Sequence, residues 1–314
     1  PPRSTLFPYT TLFRSCYEKI IGRLPSVDEL NIWCSQLINN NTSLAQVAVE
    51  GFFNSQEFKE KNVSESEFVR IMYQTFFDRE PAEEDISYWG GEIRAGVSQN
   101  YIIHEITKSQ EYADVCSWYG IENKSYDLTE YRDQNISITK FIVRCYDRIM
   151  KRSPSVEEIN IWCSQLLDSN VSLAQVAVEG FFNSEEFKEK NVSESEFVTI
   201  MYEIFFDREP VEEDISYWGG EIRAGVSQNY IIHEITKSQE YADVCLRYGI
   251  DNGSYTLTEY RDKNAGLTKY VVRLYRTVLG READVDGING WCGCILNNII
   301  LRNSGSDFPT PIAN

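Results

Sequence analysis

The sequence predicts an all-α tandem-repeat protein, built from modules of about 50 residues that pair into 129-residue units. Two observations carry this prediction. Residues 43–116 recur as 172–245, at an offset of 129 positions, with no insertion and five differences. A weaker repeat lies inside each unit, since one Tyr, one Arg and one Trp recur about 56 residues on, as Tyr17/Tyr73, Arg23/Arg79 and Trp33/Trp89.

The repeat register divides the chain into five segments. We expect residues 1–15 to be a non-native, adapter-derived segment, because they lie outside the register and lack the features of a signal peptide. Unit 1 is 16–135, with modules 16–62 and 68–118 and a linker; unit 2 is 136–264, with modules 141–191 and 197–247 and a linker; 265–298 is a truncated third unit, and 299–314 is an out-of-register tail. We therefore expect the natural protein to continue at both ends.

Helical periodicity is the local signal within each module. Phe68, Ile71, Met72 and Phe76 have the spacing of one helical face. Capping boxes predict the helix starts at Ser26/Glu29, Ser43/Gln46 and Ser64/Glu67, and at their copies Ser155/Glu158, Ser172/Gln175 and Ser193/Glu196. The linkers at 119–139 and 248–268 share a Leu-Thr-Glu-Tyr-Arg-Asp motif, so we expect each to form a short helix or an ordered strap.

The bulk composition excludes several classes of function. The net charge is −18 and the pI is near 4.6. Nucleic acids and anionic membranes are negatively charged and would repel this chain, so the sequence argues against both as partners. No run of about 18 apolar residues is present to span a membrane. The acidic cluster at Glu83, Glu84 and Asp85 lacks the loop geometry of a calcium cage. The sequence therefore predicts no metal and no cofactor.

The eight cysteines suggest staples. Cys16 and Cys34 each lie nine residues from Pro25, and Cys145 and Cys163 flank Pro154 in the same way. In an antiparallel helical hairpin this spacing puts each pair at one height, so disulfides 16/34 and 145/163 are the favoured prediction. Buried thiols are the main alternative and a metal site a remote one. Cys116, Cys245, Cys292 and Cys294 are left without an assigned partner.

No catalytic constellation is present. The only histidines, His104 and His233, occupy one position in two copies, and Lys108 stands where a metalloprotease helix would need its second ligand. Adjacent acids on a helix point apart, which argues against a glycosidase pair. We expect helix-surface or packed histidines and a protein that is not an enzyme.

One tryptophan recurs in every module. Trp33, Trp89, Trp162, Trp218 and Trp291 are predicted to be structural core anchors. The alternative interpretation is that Tyr88-Trp89 and Tyr217-Trp218 stack on sugar rings. Exposed Trp89 and Trp218 in a groove would favour that alternative.

Several motifs in combination resemble the bacterial family called domain of unknown function 4214. They are Phe68-Val-Arg-Ile-Met-Tyr73, Phe77-Asp-Arg-Glu-Pro81, Tyr88-Trp89, Ser109-Gln-Glu-Tyr112 and Leu279-Gly-Arg-Glu282. The middle modules depart from the family's Leu-Gly-Arg turn, having Phe-Asp-Arg. The resemblance implies an all-helical fold related to phycobilisome linker domains, repeated within secreted or surface proteins, and no activity.

We therefore expect a non-catalytic interaction or spacer region of an exported bacterial surface or secreted protein. The alternatives are a carbohydrate or cell-wall binding module and a linker-type assembly protein. The partner is unknown, either a protein or a cell-wall glycan. Secretion or a surface location is inferred from the resemblance and from the possible disulfides.

Overall fold

The predicted all-α repeat fold is confirmed. The computed structural model describes residues 7–39, 42–169 and 171–303, and the secondary structure within them is helices and turns, with no strand. The helices of the first unit, including its linker, are α1 (Phe7–Cys16), α2 (Val27–Asn39), α3 (Leu44–Ala48), α4 (Gln56–Lys59), α5 (Glu65–Phe77), α6 (Glu83–Arg94), α7 (Gln99–Ile106), α8 (Gln110–Tyr119) and α9 (Tyr131–Gln134). The following helices are α10 (Ile136–Cys145), α11 (Val156–Asp168), α12 (Leu173–Val176), α13 (Glu185–Glu189), α14 (Glu194–Phe205), α15 (Glu212–Arg223), α16 (Gln228–Ile235), α17 (Gln239–Tyr248), α18 (Ala265–Val278) and α19 (Val285–Asn303).

Each complete module contains four helices in sequence. The first two form a hairpin, and the third and fourth helices each follow a serine cap. In the first module of each unit, the first and third helices end in π-helical segments. These segments are Tyr17–Ile21, Val49–Phe53, Tyr146–Met150 and Ala177–Phe182. Their recurrence at equivalent positions makes them a property of the repeat rather than a local irregularity.

Serine caps explain where the helices begin. Ser155 and Glu158 form the reciprocal capping box that the sequence predicts, and Ser26 and Glu29 exchange the same two bonds. Ser43 accepts from the backbone N–H of Gln46. Further caps that the sequence patterns missed lie at Ser55, Ser98, Ser109, Ser184, Ser227 and Ser238. Each satisfies a backbone N–H that a helix start leaves open.

The described residues from Phe7 on fold with the first module, and the adapter-derived origin of residues 1–15 stays a prediction. Helix α1 begins at Phe7, and Leu12 and Phe13 are buried. Phe13 is equivalent to Ile142 at the 129-residue offset and packs against Phe52, with ring centroids 6.5 Å apart. It lies one turn before Tyr17 on the same helical face, so an apolar residue there joins the core whatever its origin. Residues 1–6 lie outside the described part.

The chain forms two compact units, and the division between them is distinct from the repeat boundary at residue 135. Within the described residues, the N-terminal unit comprises the chain up to Val143 together with Ile159–Cys163, and the C-terminal unit comprises Arg144–Glu158 and the chain from Ser164 on. The first half of α10 bonds within the N-terminal unit, where Lys140 Nζ lies 2.7 Å from Glu92 Oε1. The second half bonds within the C-terminal unit, where Arg144 Nη1 lies 2.5 Å from Asp207 Oδ1. The boundary therefore falls inside this helix.

The third copy consists of α18 and α19 and packs within the C-terminal unit. Val271, Val272, Tyr275, Ile288 and Cys292 form its small core. Helix α19 runs past Asn297, the position equivalent to the end of α11, and continues to Asn303. The predicted tail 299–314 thus begins as helix, and residues 304–314 lie outside the described part.

A close approach between α18 and the end of α15 gives a test of this packing. A Cβ at Gly225, where φ is +98°, would lie 2.5 Å from Val272 Cγ2, whereas one at Gly220 would meet nothing within 4 Å. We expect Gly225→Ala to lower the free energy of unfolding by about 1–3 kcal/mol, through strain and overpacking. We expect Gly220→Ala, inside helix α15, to raise it by about 0.5–1 kcal/mol. Urea unfolding of both variants measures this, and equal effects would contradict the packing described.

Candidate interaction surface

In each complete module, an arginine that follows the first helix forms an ion pair with a glutamate of the fourth helix. Arg23 Nε lies 2.8 Å from Glu57 Oε1, and Arg79 Nε lies 2.5 Å from Glu111 Oε1. The copies Arg152–Glu186 and Arg208–Glu240 are paired at 3.0 and 2.6 Å. The Arg of the turn motif and the Glu of the Ser-x-Glu-Phe/Tyr motif are thus physical partners, in a bidentate geometry that fixes their orientation.

The same arginines stack on a tyrosine of the first helix. The five guanidinium groups lie 4.8–5.0 Å from ring centroids, in the pairs Arg23/Tyr17, Arg79/Tyr73, Arg152/Tyr146, Arg208/Tyr202 and Arg281/Tyr275. The module tryptophan joins this group, because the indole Nε1 of Trp33 donates to the Tyr17 hydroxyl at 3.1 Å and that of Trp218 to Tyr202 at 3.2 Å. Tyr, Arg and Trp therefore recur together because they form one contact group.

The tryptophans differ in burial. Trp33, Trp89, Trp162 and Trp218 are half-buried, and Trp33 and Trp89 pack against the N-terminal core. Trp291 is 57% exposed, so the core-anchor prediction is wrong for this residue. Trp33 is covered by Phe52 of the third helix, with ring centroids 5.2 Å apart. No described residue stands at the equivalent place beside Trp291.

The linkers are ordered straps held by polar bonds, as predicted. In the first linker, His104 Nδ1 lies 2.5 Å from the Tyr126 carbonyl, and in the second, His233 Nδ1 lies 2.6 Å from that of Tyr255. An Nδ1–H must donate there, since a carbonyl only accepts. The histidines are therefore structural donors to the linker, as the packed interpretation expects.

The linker motif also fixes the second helix of the next module. Asn160 accepts from the Arg132 backbone N–H at 3.0 Å and donates to Glu130 at 3.0 Å; Asn289 repeats both bonds with Arg261 and Glu259. The motif's last residue is buried, and in the second copy Ser227 donates to Asp262 Oδ1 at 2.6 Å. Burial raises the pKa of Asp262, and the bond from Ser227 opposes that shift.

The predicted disulfides are not formed in the structure. Cys16, Cys34, Cys145 and Cys163 are free thiols, as are Cys116, Cys245, Cys292 and Cys294. The assumption of equal height fails, because Cys163 Sγ lies 3.4 Å from Thr139 Oγ1, and Thr139 precedes Cys145 by nearly two helical turns. Thr268 meets Cys292 in the same way at 3.6 Å. Burial raises the pKa of Cys16 and of Cys145 to about 12, which keeps both thiols protonated.

An open apolar groove lies between α18 and α19, and we name it the α18–α19 groove. It encloses about 240 Å³ and is lined by Val271, Leu274, Tyr275, Val278, Leu279, Trp291 and Ile295. Val278 and Leu279 are among its exposed residues. Two further clefts of about 240 and 290 Å³ lie at equivalent places beside the starts of α3 and α12, and their linings are mixed rather than apolar.

Among the described residues, the α18–α19 groove is the candidate binding surface, because it is open and apolar. Within those residues no group of three or more His, Cys, Asp or Glu side chains could hold a metal ion. Their helices include none both long and apolar enough to cross a membrane. The loss of the repeat register after Asn297 predicts an uncovered apolar face in the third copy, and the structure gives the residues that line it.

The Arg–Glu pairs predict acid sensitivity. The Arg23 guanidinium and the Ser26 backbone N–H lower the pKa of Glu29 to about 2, and Arg152 and Ser155 do the same for Glu158. Because the folded pKa lies below the unfolded value near 4.5, this stabilisation is present above about pH 4.5 and is lost as the pH falls towards 2.

Glu29→Gln with Glu158→Gln should therefore lower the free energy of unfolding at pH 7 by roughly 1 kcal/mol per site. The difference from the unmodified protein should shrink as the pH falls from 4.5 towards 2. Urea unfolding at several pH values measures both effects. Glu213→Gln, on the exposed face of α15, is the matched control; a variant whose difference persisted at pH 2.5 would contradict the assignment.

The thiols give a separate test. Cys294 is exposed and the other seven cysteines are buried. Native protein without reductant should react with iodoacetamide at Cys294 alone, and unfolded protein at all eight positions, because burial blocks the reagent and protonation slows attack. Peptide mapping by mass spectrometry locates the modified residues. Modification of only four in denaturant would show instead that both predicted bridges form.

Comparison with known proteins agrees with the repeat geometry. The family described as Domain of unknown function (DUF4214) matches at residues 49–116, 123–191 and 178–245, which together cover more than half of the chain. The first and last matches are related by the 129-residue offset, and each runs from the third helix of one module to the fourth helix of the next. No curated protein matches the chain, and no solved structure does. The chain belongs to the DUF4214 family, with three tandem copies of its domain.

Proposed function

We propose that this chain is a non-catalytic interaction and spacer region of an exported bacterial surface or secreted protein. The observation that carries the proposal is the α18–α19 groove, an apolar surface that is exposed in the described part of the third copy, whereas the equivalent residues Ile149 and Met150 are buried. Contiguous exposed apolar surface of this kind is typical of interaction sites.

The bonding of the repeated polar side chains supports a non-catalytic role. Both histidines bind a linker carbonyl, and the arginines of the complete modules pair with glutamates. Asp262 accepts from Ser227. The histidine and arginine contacts hold helices and linkers in register and occur alike in both copies, as structural roles require.

The proposed location rests on the family resemblance alone. Disulfides would have supported an oxidising compartment, but the thiols are free in the structure. Immunodetection of the chain on intact cells of the source bacterium, before and after protease treatment of the surface, tests this part of the proposal. A protease-resistant signal found only after lysis would contradict it.

A glycan-binding role is the second candidate. Tyr88 and Tyr217 are 60% and 61% exposed, and each packs edge-on against its neighbouring tryptophan with centroids 4.8 Å apart. An exposed aromatic ring can stack on a sugar ring, and each unit offers one such tyrosine. Trp89 and Trp218, which the sequence offered as the stacking residues, are half-buried, so the tyrosines are the better candidates.

One experiment separates these functions. Purified chain is incubated with peptidoglycan, chitin, casein and nitrophenyl esters, and both turnover and retention on the insoluble glycans are measured. We expect no turnover and no retention. Turnover that is lost in His104→Gln with His233→Gln would overturn the non-catalytic role. Retention that is lost in Tyr88→Ala with Tyr217→Ala, but kept in Leu246→Ala, would establish the glycan-binding alternative.

A further inference from the structure

The α18–α19 groove is the exposed equivalent of a surface that is covered in the first module of each unit. Val278 and Leu279 are 73% and 59% exposed. Their equivalents at the 129-residue offset, Ile149 and Met150, are 0% and 5% exposed. The side chains are comparable in size and polarity, so the difference lies in what covers them.

In the first module of each unit, the third helix with its π-helical end packs against this surface, together with the first helix of the next module. Phe181 of that helix meets Tyr146 with ring centroids 5.0 Å apart, and in the N-terminal unit Phe52 meets Tyr17 at the same distance. Close packing also needs a glycine, because a Cβ at Gly51 would lie 2.4 Å from the Trp33 ring. The occupant is thus a helix that carries the sequence Gly-Phe-Phe.

The short fourth helix adds a charged contact. Glu186 pairs with Arg152 at 3.0 Å, five residues after Phe181. The equivalent Arg281 keeps its place over the ring of Tyr275 at 4.8 Å, and its ion pair is a local one, with Asp284 at 3.4 Å. The third copy therefore retains both the apolar and the cationic parts of the surface that holds these two helices.

We propose that the α18–α19 groove and Arg281 form a docking site for a polypeptide segment with the pattern of a module's third and fourth helices, Leu-Ala-x-Val-Ala-Val-x-Gly-Phe-Phe-x-Ser-x-Glu-Phe. The phenylalanine equivalent to Phe181 enters the groove beside Tyr275, and the glycine lies against Trp291. The glutamate pairs with Arg281. This inference names the partner chemistry of the proposed interaction function and rests on it.

The test uses the full chain and a fluorescein-labelled synthetic peptide of residues 172–191, with binding followed by fluorescence anisotropy. We expect saturable binding, weakened about tenfold or more by Leu279→Asp, which places a charge in the groove. The control Leu246→Asp alters an exposed leucine of α17 outside the groove and should change the affinity less than about twofold.

A charge swap tests the orientation of the peptide. Arg281→Glu in the chain should weaken binding several-fold, and Glu186→Lys in the peptide should restore it with that variant alone. A peptide in which Phe181 and Phe182 are both alanine should not bind. These comparisons separate groove binding from displacement of the chain's own third helices, since neither Leu279 nor Arg281 contributes to the complete modules.

Two outcomes would overturn the proposal. One is absence of saturable binding, or equal binding by the Leu279→Asp variant. The other is concentration-dependent dimerisation in sedimentation velocity that Leu279→Asp abolishes and excess peptide leaves unchanged, which would assign the groove to a second copy of the chain. Either result leaves the non-catalytic role standing, because that role fails only through turnover in the substrate assay described above.

Discussion

In the first module of each unit, the third helix packs against the hairpin formed by the first and second helices. The rest of that module depends on this interaction. Phe52 contacts Phe13, Tyr17 and Trp33, and Phe181 contacts Tyr146 in the same manner. Fully burying one such side chain contributes about 1.5–3 kcal/mol. An exposed Arg–Glu pair contributes only about 0–1 kcal/mol. The phenylalanines therefore supply the stability, and the ion pairs set the register of the fourth helix.

The linker has a different role from the core. Its bonds are polar and partly buried: a histidine of the preceding module holds the Tyr126 carbonyl, and Asn160 of the following helix holds Glu130 and Arg132. Groups of this kind cost free energy when left unpaired, so they specify one position for the strap rather than adding much stability. This explains why the Leu-Thr-Glu-Tyr-Arg-Asp motif and the histidine recur together in both linkers.

The α18–α19 groove follows from the packing of the third helix described above. The third copy carries the hairpin, the stacked Arg281 and the aromatic residues that a third helix would cover. A repeat module cannot bury its apolar face by itself and needs a neighbour to do so. An exposed surface of this chemistry is suited to a helix of the module's own pattern, which is the basis for assigning its partner.

The sequence by itself determined the helical class, the 129-residue repeat, some of the helix starts and the set of residues that recur per module. These follow from local rules, namely capping and the 3.6-residue period. Only the tertiary structure decided which residues meet. Cys163 contacts Thr139 rather than Cys145. Helix α1 brings residues before Cys16 into the core, and Arg79 forms an ion pair with Glu111. Trp291 lies exposed while Trp33 is covered. Counting residues from a turn cannot give these contacts, because helix phase and crossing geometry are set by packing between helices.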